Sequence, residues 1–96
     1  MSQEETGVVV LNALKECQHL SGREWSDLGM DAKPIGVLDG FDSLSGVEAT
    51  VMIEQRLGCT FDVESLFVSE DGKRALTLRE ISERLRKLIA SKGATR

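Results

Sequence analysis

The chain has no tyrosine, one histidine, one proline and two cysteines among its 96 residues, and aromatic residues make up only 4%. Each shortage removes a class of function. His19 is the only histidine and lies before a long unpatterned stretch, so a serine nucleophile has no base at hand. Cys17 and Cys59 sit in apolar surroundings and read as small core residues, not as a disulfide framework. With His19 they fall short of the four closely spaced ligands of a structural zinc site, so no metal is expected. No apolar run approaches the roughly 20 residues of a membrane span. The start Met1-Ser2-Gln3-Glu4-Glu5 is acidic, unlike a secretory leader, so the expected location is cytoplasmic. No glycine-rich phosphate loop follows a strand. What these absences leave is a non-enzyme.

What is present is 41% apolar and 29% charged residues, the composition of one globular domain, 1–96, with a modest core. The net charge of −4 is unevenly placed. Residues 39–71 carry eight acids and one base (Arg56), whereas residues 72–96 carry two acids and eight bases. The acidic middle steers basic partners and repels nucleic acid. A lopsided solvated face is also common in helical proteins. The bases of the last segment are spread around a helix without interleaved aromatics, so a nucleic-acid partner is not expected.

The pattern along the chain is helical almost throughout. Val10, Leu11, Leu14 and Cys17 place a first helix over residues 4–20. From 21 to 42 the periodicity is lost. Glycines and Pro34 punctuate this stretch, yet Trp25, Leu28, Met30, Ile35, Val37, Leu38 and Phe41 require it to pack on the core. A short helical turn is expected near 26–30. A second helix spans 43–57, with Leu44, Val47 and Val51 as an apolar stripe widened by Ala49, Met52, Ile53 and Leu57, and with Gly58 as C-cap. Asp62 would cap a short third helix over 62–68. Thr77 and Glu80 have capping-box spacing and open a last helix over 77–91, with a disordered tail over 92–96. The fold expected is all-α: a small, monomeric four-helix bundle, three helices long and one short, with a long first loop.

One position stands out for chemistry. In Gly40-Phe41-Asp42-Ser43-Leu44, Asp42 has the character of an N-cap and Ser43 begins the helix it caps. A hydroxyl there points outward where free backbone amides and the helix dipole favour an anion, so it is a good place to carry a phosphodiester. The plainer reading is that Asp-Ser is only capping chemistry.

The same residues resemble the acyl carrier proteins and related phosphopantetheine carrier domains. The resemblance runs from about Pro34 to Ile89. It rests on Gly40-Phe41-Asp42-Ser43-Leu44, then Val47-Glu48, then Ile53-Glu54-Gln55-Arg56-Leu57-Gly58, and finally Leu76-Thr77-Leu78-Arg79-Glu80-Ile81. It implies that a phosphopantetheinyl transferase attaches 4′-phosphopantetheine from coenzyme A to Ser43. The arm's thiol then carries an acyl group as a thioester between enzymes of a lipid (fatty acid), polyketide or related specialised pathway. Asp42 and Leu44 support the motif, Leu44 partly exposed to partner pockets. Glu48 and Glu54 would meet basic docking surfaces of acyl-loading and acyl-processing enzymes. Val47, Val51, Met52 and Phe67 would be candidate walls of an acyl pocket, or ordinary core.

The chain also departs from the family. Gly46 weakens the first turn after Ser43 by roughly 0.5–1 kcal/mol relative to Ala. Arg56 breaks the acidic run, the turn over 69–75 is long, and the last segment is basic. These departures suggest a carrier dedicated to one pathway. The alternative is an unmodified helical interaction module with an acidic docking surface, in which Ser43 is only a cap.

Overall fold

The computed structural model describes residues 2–94 and contains four helices: α1 (Gln3–Leu20), α2 (Pro34–Val37), α3 (Ser43–Leu57) and α4 (Leu78–Ala94). Three are long and one is short, as the pattern predicts, and together they make a small all-α bundle. Each long helix starts on a side-chain cap. The Ser2 hydroxyl accepts the Glu5 amide while the Glu5 carboxylate accepts that of Ser2. Asp42 accepts the Ser45 amide at 2.9 Å. Thr77 and Glu80 form the expected reciprocal pair, with bonds of 2.9 and 3.2 Å. Such caps satisfy amides that the helix itself leaves free. Gly58 ends α3 in the left-handed conformation, φ +69°, which a Cβ would disfavour.

α1 is the helix on which both α3 and α4 pack. Its buried face, Val10, Ala13, Leu14 and Cys17, follows the predicted spacing, and α4 answers with Leu78, Ile81 and Leu85. The inward face of α3 is not the one the apolar stripe suggests. It buries Ser45, Gly46, Ala49, Thr50 and Ile53, while Leu44 and Val51 are 67% and 45% exposed. Small residues face inward because the side chains of Ser65 and Phe67 come close there. A Cβ on Gly46 would stand 3.1 Å from Ser65 Oγ and 3.3 Å from Phe67 Cβ.

Three expectations are corrected. Residues 62–68 form no helix. Their backbone groups find partners far along the chain. Thr50 Oγ1 accepts the Leu66 amide, Arg84 donates to the carbonyls of Ser65 and Val68, and the Leu76 amide donates to Phe67 O. The segment thus bridges α3 and α4, with Leu66 and Phe67 fully buried and an isolated bridge pairing Val68 with Ala75. Of the helical turn expected near 26–30, residues 26–29 form none, and Met30 lies only in the turn closed by the Ala32 amide on Gly29 O. The short element lies at α2, where Ile35 (φ −71°, ψ 114°) and Gly36 (φ 106°, ψ −25°) have type II turn geometry behind a buried Pro34. The last helix continues to Ala94, so residues 92–94 are helical, and the remainder of the expected tail lies outside the described residues.

The long first loop is bound to the bundle at several points. Gln18 Nε2 donates to Glu24 O at 3.0 Å and to Asp39 O at 2.7 Å. The carbonyls of Ala32 and Met30 accept the first amides of α4, Leu78 N and Arg79 N, at 2.8 Å each. Phe41 is buried edge-on to Phe67, ring centres 5.5 Å apart. These contacts deliver the chain to Asp42 and Ser43 in a fixed direction. Among the described residues, no helix is long and apolar enough to cross a membrane.

Candidate functional site

Ser43 is the first residue of α3 and is exposed. Its hydroxyl has no hydrogen-bond partner among the described residues. The capping work on either side of it is done by others. One Asp42 oxygen, Oδ1, accepts both the Ser45 amide at 2.9 Å and the Ser45 hydroxyl at 3.1 Å. These two bonds, the amide first, hold the Asp42 carboxyl below the ordinary aspartate value, with a smaller contribution from the field of Arg23. Asp42 is therefore an anion at neutral pH, and the N-terminal turn of α3 is capped without Ser43. The next helical amide, Gly46 N, donates to Asp42 O at 3.0 Å.

Ser43 stands at the rim of an open groove of about 510 Å³, whose walls include Val47, Ser65, Val68 and Arg84. Asp62, Glu64 and Glu70 also line it, so its lining carries three carboxylates against the one guanidinium of Arg84. The four candidate pocket residues are not brought together. Val47 reaches the groove. Val51 faces a separate depression beside Gly58 and Cys59. Met52 packs half-buried on the core, and Phe67 lies fully inside it.

The remaining candidates divide in the same way. Leu44 is well exposed beside Ser43, and Glu48 is exposed on α3. Glu54 is half-buried, and its carboxylate accepts the Phe61 amide at 2.8 Å, so it holds the chain after α3. Cys17 is buried under this part of the bundle. Burial, with a smaller push from the Glu48 charge, raises its thiol above the ordinary value, which keeps it protonated and unreactive. Among the described residues no three of His, Cys, Asp and Glu gather as metal ligands.

Two residues at the site escape sequence reasoning. Arg23, in the long loop, donates to Ser45 Oγ at 3.0 Å, and Arg84, on α4, holds the groove wall through Ser65 O and Val68 O. Neither belongs to a local pattern. No sequence signal marks either residue, because Arg23 is 22 residues from Ser45 and Arg84 is 16 and 19 residues from the carbonyls it holds. The chain matches no protein-family model, no curated protein and no solved structure.

Proposed function

We propose that the chain is an acyl carrier: Ser43 bears a 4′-phosphopantetheine arm whose thiol holds an acyl group as a thioester. The observation that carries this reading is the state of Ser43, exposed at the start of α3 with an unengaged hydroxyl, while Asp42 alone supplies the cap. A serine kept only for capping would be hydrogen-bonded to the turn it caps. This one is spare.

The residues present suit the group. Attachment joins Ser43 Oγ to the phosphorus next to the pantetheine of coenzyme A, breaks the diphosphate bond, and releases adenosine 3′,5′-bisphosphate. The serine proton passes to a base on the transferase. The resulting phosphodiester sits at the amino end of a 15-residue helix, where the dipole favours an anion. The groove beside Ser43 gives the arm a surface to lie on. Exposed Leu44 and Glu48 give partner enzymes an apolar contact and a charge on the same helix. Exposed charge pairs of this kind are worth about 0–1 kcal/mol each and act mainly on encounter rate, which suits a shuttle. Dedication to a single lipid, polyketide or related pathway remains part of the proposal, resting on the departures at Gly46, Arg56 and the basic last segment.

The test is intact mass after incubation with coenzyme A and a broad-specificity phosphopantetheinyl transferase, with Ser43→Ala alongside. The carrier reading expects a gain of one phosphopantetheine, mapped to the peptide holding Ser43 and absent from Ser43→Ala. An unmodified, folded wild type beside a working control carrier would overturn it in favour of the interaction module.

A further inference from the structure

Arg23 leaves the end of α1 with its amide donating to Gln18 O at 2.8 Å. Its side chain then runs across Gly40: a Cβ on that glycine would fall 2.9 Å from Arg23 Cδ and 3.1 Å from Nε. Gly40 is also at φ +63°, so a side chain there would be strained and would push Arg23 aside. Beyond Gly40, Nη1 donates to Ser45 Oγ at 3.0 Å, and that hydroxyl donates to Asp42 Oδ1. One guanidinium thus touches the residues at both ends of the turn carrying Ser43 and reaches the helix cap through a single hydroxyl. It is half-buried and, among the described residues, forms no ion pair. Its contact with the turn is therefore a hydrogen bond to a hydroxyl and not a salt bridge, and its field on Asp42 is a minor contribution.

We infer that Arg23 is a positioning residue for the modification of Ser43, clamping the Gly40–Ser45 turn to the end of α1 so that the hydroxyl is presented in one geometry. The inference rests on the carrier reading. A planar guanidinium can lie along a peptide unit and still donate at its far edge, whereas a lysine ammonium offers only a point charge. The clamp also gives a reason for the glycine that precedes Phe41, because any side chain at 40 would displace Arg23. Presentation matters because a nucleophile held off its line of attack by about 1 Å can lose roughly 100-fold in rate.

The experiment compares wild type, Arg23→Gln and Arg23→Lys as full chains, measuring kcat and KM for loading by the transferase together with amide hydrogen exchange. Arg23→Gln is expected to lower kcat by about 10-fold or more with KM nearly unchanged. Exchange should speed up at Ser43, Leu44 and Ser45 and stay unchanged in α4. Arg23→Lys should recover part of kcat. A kcat within about twofold of wild type overturns the inference, as does a loss confined to KM, which would make Arg23 a docking contact. Should Arg23→Gln fail to fold, Gly40→Ala displaces the same side chain while keeping its charge, and a folded Gly40→Ala with wild-type kcat overturns the inference equally. A wild type that is never loaded removes the carrier reading and this inference with it, whereas a loaded wild type with unaffected variants removes the inference alone.

Discussion

Thr50 on α3 accepts the backbone amide of Leu66 at 2.9 Å while its own hydroxyl donates to Gly46 O at 2.7 Å, and both groups are buried. A single hydroxyl therefore replaces the helical hydrogen bond that residues 62–68 never form. Thr50→Val keeps the shape and removes the acceptor, leaving the Leu66 amide unpaired. The expected cost is about 1–3 kcal/mol, read as a lower urea midpoint with unchanged slope. Thr50→Ser, which keeps the hydroxyl, should recover most of it.

Gly46→Ala sets helix propensity against space. Alanine is intrinsically favoured within a helix by about 1 kcal/mol. The added methyl, however, would meet Ser65 Oγ at 3.1 Å and Phe67 Cβ at 3.3 Å. Phe67 is fully buried and cannot swing aside, so a net loss of about 1–2 kcal/mol is expected. Combining it with Ser65→Gly should recover part of that loss, and simple additivity of the two changes in denaturation would contradict the steric account.

Ser82 faces α1 on α4 with a fully buried hydroxyl that has no hydrogen-bond partner among the described residues. A Cβ on Gly7 would lie 3.6 Å from that oxygen, so the two helices are already close there. Ser82→Ala removes a desolvated polar atom and almost no volume. It should raise stability by about 1 kcal/mol, visible as a higher thermal midpoint.

Acid should loosen the starts of all three long helices. Glu5, Asp42 and Glu80 are each held below the ordinary value for their type (4.5 for the glutamates, 3.8 for the aspartate), chiefly by a backbone amide at the helix start. Groups with depressed folded values bind fewer protons folded than unfolded. Their contribution is complete above the ordinary values and is lost as pH falls through the lower folded ones. Helicity followed from pH 7 down to 2 should therefore decline below about pH 4.5, and Asp42→Asn, which still caps but does not titrate, should flatten the decline.

What local pattern carries was legible. The faces of α1 and α4, the Asp42 cap, the Thr77–Glu80 box and the Gly58 terminus all follow from residues within one or two turns of each other. The capping box at Ser2 and Glu5 had the same spacing and could have been read. What failed was long-range. Residues 62–68 have a capping aspartate and apolar positions suited to a helix, but Thr50 takes the Leu66 amide such a helix would need, and Arg84 and Leu76 hold the carbonyls of Ser65, Phe67 and Val68 in another course. A short helix is costly to nucleate, so distant partners win easily. The inward face of α3 was misread for a related reason. Small residues signal burial only when the side chains that come against them are known. At the site, the position and exposure of Ser43 were legible, whereas the setting of Arg23 was not, because it depends on closing the long loop.

The Gln18 amide holds that loop at both shoulders, through Glu24 O and Asp39 O. The excursion between α1 and α3 is thereby a ring closed by one side chain, which adds to the anchors that Ala32, Met30 and Phe41 provide. Opening this clasp would free the chain beside Arg23 and beside Gly40 at once, which ties the presentation of Ser43 to the last turn of α1.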